Sequence, residues 1–272
     1  MSFPGMASGA DSEPSASTTQ GPWTEDPEFV RIYDLENQGL EDVGFYLELV
    51  RELGAARVAD VGCGTGVLAV ELARRGVQVE GVDPADAMLE VARERVAAAE
   101  VSSLVGLTQG TAAELASSSA DAALMVGHVA QYFLQRADWQ HALTECFRAL
   151  VPGGRLAFES QNPSAVDLEL WSEENTRETS PHPEGGEMTS WLEVTGVVTD
   201  DDGELITCRA HHLTADGRHL TAEETLRYRP WEILESSLRE AGFEVESVWG
   251  DWDRSPLEED SPEIIVVARK PK

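Results

Sequence analysis

Between residues 57 and 161, short apolar runs alternate with stretches whose apolar positions recur every three or four residues. RVADVG (57–62) ends in glycine, and GVLAVELARRG (66–76) follows at helical spacing and stops at Gly76. QVEGVD (78–83) and the helical stretch 85–99 repeat the unit. A weaker run at 103–110 (SLVGLTQG), the run 121–127 (DAALMVG), a helix over 136–150 and GRLAFES (154–160) continue it. Strands alternating with helices at this spacing predict right-handed βαβ units, and so an α/β fold whose mostly parallel sheet carries helices on both faces. Upstream, residues 26–54 read as helical, with Phe45, Leu47, Leu49, Val50 and Leu53 on one apolar face.

The alternation breaks at Asn162. Residues 162–187 are rich in Pro, Glu and Ser and read as loop. Three β-type stretches follow, 189–198, 204–214 and 218–229, joined by the turn sequences DDDG and ADG. We read 162–229 as an antiparallel β insertion. The α/β pattern resumes with a helix over 230–241, where Pro230 suits the first turn, and with strands at 244–250 and 263–270. The main domain therefore comprises 23–161 and 230–272. Residues 1–22 are rich in Ser, Ala, Gly and Pro, lack the basic and apolar regions of a signal peptide, and read as a disordered leader.

Composition narrows the partners. Across 272 residues, 50 acidic residues face 20 basic ones, a net charge of −30. Such a surface repels phosphate backbones and anionic bilayers, so nucleic acid and membrane are not expected partners. Either a generally acidic, Lys-poor surface or adaptation to high salt would account for the charge. No apolar run reaches the length of a membrane span. The three cysteines (Cys63, Cys146, Cys208) form neither a disulfide framework nor a zinc-ligand pattern, so no metal is expected and a reducing, cytoplasmic setting fits.

The segment Asp60-Val61-Gly62-Cys63-Gly64-Thr65-Gly66 lies where the first strand of the alternation meets its helix. Glycines there let a ligand approach the backbone and let the helix start against the sheet. A dinucleotide turn would carry a third glycine where Val67 stands. A pyrophosphate would gain nothing from Asp60, whereas a ligand bearing an ammonium and a sulfonium would. Asp83 ends the second strand, where a carboxylate can accept both hydroxyls of a ribose. A purely structural role as helix cap or turn former is the alternative for such an Asp.

Four blocks in order, VADVGCGTG (58–66), VEGVDPADAMLEVAR (79–93), DAALMVGHVAQYF (121–133) and LVPGGRLAFES (150–160), resemble a class I S-adenosylmethionine (AdoMet)-dependent methyltransferase of the bacterial small-molecule type. The resemblance is strong over about 29–161 and looser over 230–270. It implies a Rossmann-like seven-stranded sheet with the last strand antiparallel. It places the methionine part of AdoMet along Gly62, Cys63, Gly64 and Gly66, the amino group near Asp60 and the ribose on Asp83. Pro84 and Met88 would edge the adenine pocket. The acidic residue usual after the third strand is absent, so Thr111 and the backbone of Ala112 would have to serve the adenine. Gly127 would border the cofactor, and Tyr33, favoured over Tyr46, would fold over it from the N-terminal helices.

Methyl transfer from a sulfonium needs in-line alignment, and a base only where the nucleophile holds a proton. His128, after the fourth strand, is the first candidate base because imidazole titrates near neutrality. Hydrogen bonding to a backbone or cofactor group is its structural alternative. Glu159, ending the fifth strand, is the second candidate, with orientation of other side chains as the blander role. His211, His212 and His219 read as exposed hairpin residues, since adjacent strand residues point to opposite faces. Trp171, Arg177 and Trp191 are candidate substrate contacts. The expectation is methyl transfer to N or O of a small molecule, with the insertion as lid, specificity element or homodimer contact. An AdoMet-binding module without activity and, against the Val67 and Asp60 evidence, a nicotinamide-dependent oxidoreductase are the alternatives.

Overall fold

The computed structural model describes residues 17–18, 22–37 and 41–272. Its elements begin with β1 (Ser17–Thr18), α1 (Pro27–Glu36) and α2 (Glu41–Leu53). The alternating part holds β2 (Arg57–Val61), α3 (Val67–Ala73), β3 (Gln78–Asp83), α4 (Asp86–Ala98), β4 (Val105–Gln109), β5 (Ala120–Met125), α5 (Arg136–Ala149) and β6 (Leu150–Gln161). The insertion holds α6 (Glu173–Thr176), β7 (Glu178–Pro181), β8 (Glu187–Asp200), β9 (Gly203–Thr214) and β10 (His219–Tyr228). The chain then closes with α7 (Trp231–Glu240), β11 (Glu244–Trp249) and β12 (Glu263–Arg269).

Among the described residues the strands form two sheets. One has seven strands in the order β11-β12-β6-β5-β2-β3-β4, with β12 antiparallel to both neighbours and the other pairings parallel. Both faces are covered, as buried parallel strands require. Trp139, Leu143, Leu234 and Leu238 of α5 and α7 pack on one face with Phe158. Tyr46, Leu49 and Leu72 of α2 and α3 pack on the other with Leu124 and Ile265. Chain order reverses between β2 and β5, and in such sheets the crevice at this reversal takes the ligand. Among the described residues no helix is long and apolar enough to cross a membrane.

The second sheet is the insertion, ordered β1-β10-β9-β8-β7. It is larger than the sequence suggests, because part of the expected loop 162–187 forms β7 and pairs with β8 from Glu178↔Ser190 to Pro181↔Glu187. β7 is a short polar edge strand ending in Pro, so it lacks the apolar alternation by which a strand is recognised. Of the expected disordered leader, residues 1–16 and 19–21 lie outside the described residues. Ser17–Thr18 run parallel to β10.

Helix α1 joins the two layers. Phe29 and Ile32 pack on Met188, Leu220 and Ala222 of the insertion, while Val30 packs on Ala85 and Met88 at the start of α4. The helix therefore lies between insertion and main sheet, above the crevice.

Candidate active site

The glycine turn is built by backbone sterics. The N–H groups of Gly62 and Cys63 both donate to Val82 O, at 2.8 and 3.1 Å, which draws the turn against the end of β3. Gly62 has φ +73°, and a Cβ there would meet Val129 Cγ2 at 2.6 Å, so only glycine fits. Gly66 has φ +76°, and its missing Cβ gives room to Ala92 of α4, 3.0 Å from where that atom would stand. Gly66 is not part of the cavity wall. Its missing Cβ lets α3 pack against α4.

A cavity of about 550 Å³ opens beside this turn. Tyr33, Gly62, Gly64, Asp83, Pro84, Met88, Thr111, Ala112 and Gly127 lie in its wall. A smaller annex of about 60 Å³ shares Tyr33, Gly62, Gly64 and Gly127 with it and adds Asp42, Asp60 and Cys63. Asp83 serves the structural role and still faces the cavity. Its Oδ1 accepts the Ala85 N–H and its Oδ2 the Gly64 N–H, both at 2.9 Å. Each carboxylate oxygen retains lone-pair capacity for a hydroxyl. Burial raises the Asp83 carboxyl above the ordinary range. Thr111 Oγ1 accepts the Ala113 N–H at 3.3 Å, capping a short turn of helix and leaving capacity for one further bond.

Asp60 differs from Asp83. It is 2% exposed, and its Oδ2 has no hydrogen-bond partner among the described residues. Burial, with the charge of Asp83 added, pushes this carboxyl up to about 7. A buried acceptor without a donor is costly. A ligand ammonium entering the annex would supply the missing donor and charge, so the residues present fit the amino-acid end of AdoMet.

The two expected catalytic residues lie outside the cavity wall. Gly127 and Val129 line it, but His128 between them does not. The His128 backbone is left-handed at φ +59°, and its Nε2 lies 3.0 and 3.1 Å from the two carboxylate oxygens of Glu263 on β12. Burial opposes charge on this ring, yet the Glu263 hydrogen bond and the charges of Glu159, Glu263 and Asp42 outweigh it and raise the imidazole above its ordinary value. Glu159 is fully buried; it accepts the His128 backbone N–H at 2.6 Å and the Tyr46 hydroxyl. Burial pushes it up to about 7. Glu159 ties the Gly127–Val129 segment to the end of β6 through the His128 backbone, an arrangement that suits the structural alternative for both residues. Tyr46 belongs to the same buried network.

The roof comes from elements far apart in sequence. Tyr33 of α1 lines both the cavity and the annex, and its ring packs 5.2 Å from that of Trp23. Burial, then Asp42 and Glu224, push its phenol up to about 12, which keeps it a neutral donor. Ala222 of β10 packs beneath α1, and Glu224 lies two residues on, on the same face of the strand. Its Oε1 accepts both the Trp23 indole N–H and the Tyr132 hydroxyl, each at 2.7 Å. The buried Arg227 and Arg229 fasten β10 to the segment after β5, donating to the carbonyls of Leu134 and Phe133 at 3.1 and 2.8 Å. Arg229 also holds Asp202 Oδ2 at 2.7 Å.

Trp23 and Glu224 escape notice in the sequence, where no local motif surrounds them. The candidate contacts Trp171, Arg177 and Trp191 are absent from the cavity wall. Trp171 packs near Tyr228, and Arg177 stacks over Trp191, 4.8 Å from the ring centre. His211 Nδ1 and His219 Nε2 lie 2.9 Å apart beside Trp191. His212, expected to be exposed, is buried on the opposite face against Phe29.

Comparison with known proteins points the same way. A family model described as a methyltransferase domain matches residues 58–154. A protein named as a methyltransferase in Geobacillus sp. (strain WCH70) is 29% identical over 225 residues, covering 80% of this chain and 85% of that one. The ubiquinone biosynthesis O-methyltransferase of Alkalilimnicola ehrlichii is 34% identical over 146 residues, 52% of this chain and 54% of its own, so the match spans about half of that relative. The CcbJ methyltransferase from Streptomyces caelestis shares the fold, with a TM-score of 0.74 at 21% identity over 92% of this chain and 99% of that one.

Proposed function

We propose, from the premise that the chain belongs to the class I AdoMet-dependent methyltransferases, that it moves the AdoMet methyl group to a nitrogen or oxygen of a small molecule seated in the cavity under α1 and β10. The single observation that carries this reading is Asp60 Oδ2, a buried oxygen without a partner among the described residues, at the foot of the glycine turn. It suits a cationic amino acid moiety and would repel a diphosphate. The nicotinamide alternative loses its ground there.

When bound, the cofactor would supply a methyl group on positively charged sulfur, open to in-line displacement. The protein's part is mostly alignment, which can be worth several kcal/mol when reactants are held in attack geometry. Asp60 would hold the amino group and Asp83 the ribose, while Thr111, Ala112, Pro84 and Met88 would border the base. Tyr33 and Trp23 would cover the cofactor from the α1 side and exclude water. The remaining space, bounded by Tyr132, Phe133 and β10, would take the acceptor.

The test is release of S-adenosylhomocysteine from AdoMet with a panel of small amines and alcohols. Product above the enzyme-free rate with at least one acceptor supports transfer. Binding of S-adenosylhomocysteine with no turnover across the panel would favour the non-catalytic module instead.

A further inference from the structure

We propose that Glu224 is the specificity residue for the acceptor and selects a molecule bearing a protonated amine; this rests on the methyl-transfer reading above and narrows its substrate class. Glu224 stands in the cavity wall on a strand of the insertion, outside every motif that marks the cofactor site. Its two oxygens differ in use. Oε1 takes both recorded donors, the indole N–H of Trp23 and the hydroxyl of Tyr132. Oε2 takes no hydrogen bond from any described residue and keeps contact with solvent, Glu224 bordering both this cavity and a smaller one of about 140 Å³ beside Phe29 and Ala222. The carboxylate is therefore fixed at one oxygen and open at the other.

A carboxylate offers acceptor capacity only, so its complement must be a donor. A hydroxyl donating to the carboxylate is charge-assisted through the acceptor alone, whereas an ammonium adds the attraction of an opposite charge at contact distance. The surroundings strengthen that preference. Among the described residues the cavity wall contains no Lys or Arg; Asp138 adds negative charge, while Glu145 and Glu223 are paired with Arg148 and Arg209. An acceptor presenting a carboxylate or phosphate would meet Glu224 and Asp138 with no described Lys or Arg in the wall to pair with. The three polar groups also come from three separate parts of the chain: the short helix at 23–25, the turn at 129–132 and β10. The charge that chooses the acceptor thus comes from the insertion, and Trp23 and Tyr132 of the main domain hold it in place.

The alternative is that Glu224 is only a tie between Trp23 and Tyr132. E224Q separates the two, because its amide oxygen can still accept from both while the negative charge is gone. Protein saturated with S-adenosylhomocysteine is titrated with two matched pairs, benzylamine against benzyl alcohol and cyclohexylamine against cyclohexanol, followed by ligand-observed NMR. In the unaltered protein the amine of each pair should bind about tenfold tighter, the order expected for the attraction between two opposite charges in contact near a protein surface. In E224Q the preference should vanish while affinity for S-adenosylhomocysteine is unchanged, which also shows the variant is folded. Equal binding within the pairs in the unaltered protein, including no binding by either member, overturns the proposal, as does a preference that survives in E224Q. Failure of the unaltered protein to bind S-adenosylhomocysteine would instead bring down the methyl-transfer reading beneath it.

Discussion

The backbone N–H of His128 donates to Glu159 Oε1 across 2.6 Å, joining the turn after β5 to the end of β6. Tyr46 donates to the other oxygen from α2. One buried carboxylate thus ties three elements at the rim of the crevice, directly behind the cavity residues Gly127 and Val129.

Removing that carboxylate leaves two buried donors without an acceptor. Glu159→Ala should lower stability by about 2–4 kcal/mol, since each buried group left unpaired costs roughly 1–3 kcal/mol. Urea denaturation measures it. A loss under about 0.5 kcal/mol, the range of ordinary surface substitutions, would show that the network does not hold the rim.

His128→Ala tests the role of the imidazole. With Nε2 engaged by Glu263 and the residue outside the cavity wall, kcat should fall by less than about tenfold, whereas loss of a general base costs about 10²–10⁴-fold. Single-turnover rates with saturating AdoMet and the best acceptor from the panel decide between the two.

Cofactor affinity should depend on pH through Asp60. Its carboxyl is raised from 3.8 to about 7 in the folded protein, so below about pH 7 it carries a proton that a bound ammonium would expel. The sign follows: affinity for S-adenosylhomocysteine is highest above pH 7 and falls by up to about tenfold per unit below it. The same raised value means that the folded state holds the extra proton between the two values, so Asp60 lowers stability of the free protein as pH rises from about 4 to 7. Calorimetric titrations at pH 5.5, 6.5 and 7.5 report the first effect. A flat profile would show that Asp60 does not meet the ammonium.

Gly62→Ala should be far more damaging than Gly64→Ala. A Cβ at Gly62 would press on Val129 Cγ2 at 2.6 Å, whereas one at Gly64 has nothing within 4 Å. Both positions have positive φ, so both variants carry the roughly 1 kcal/mol cost of left-handed backbone. Only the first also displaces the cavity wall. Melting temperature and S-adenosylhomocysteine affinity should both fall more for Gly62→Ala, and equal losses would contradict the packing account.

The main sheet was legible because its signals are local. β2, β3, β5 and β6 are apolar runs between helical periods, and the hairpin strands β8, β9 and β10 are bounded by Asp-Gly turns. β7 was not, since Glu178, Thr179, Ser180 and Pro181 show no apolar alternation and form a strand only because β8 offers an edge. Asp60, Asp83 and the glycines were legible as a motif within one crossover. Glu224, Trp23 and Tyr132 meet only through tertiary folding, with 201 residues separating the first two. The direction of the His128 ring was not legible, because side-chain direction hangs on backbone conformation: φ +59° turns its ring to Glu263, which no residue type announces. At Gly66, packing against Ala92 and contact with a ligand both call for glycine, so the residue type does not separate the two.

Isothermal titration of S-adenosylhomocysteine into the unaltered protein and into Asp60→Asn at pH 7.5 bears most directly on the glycine-turn site. Saturable one-to-one binding, weakened about tenfold or more by the loss of one charge-assisted contact, is the expected result. No binding by the folded unaltered protein, or equal affinity in the two, would contradict it.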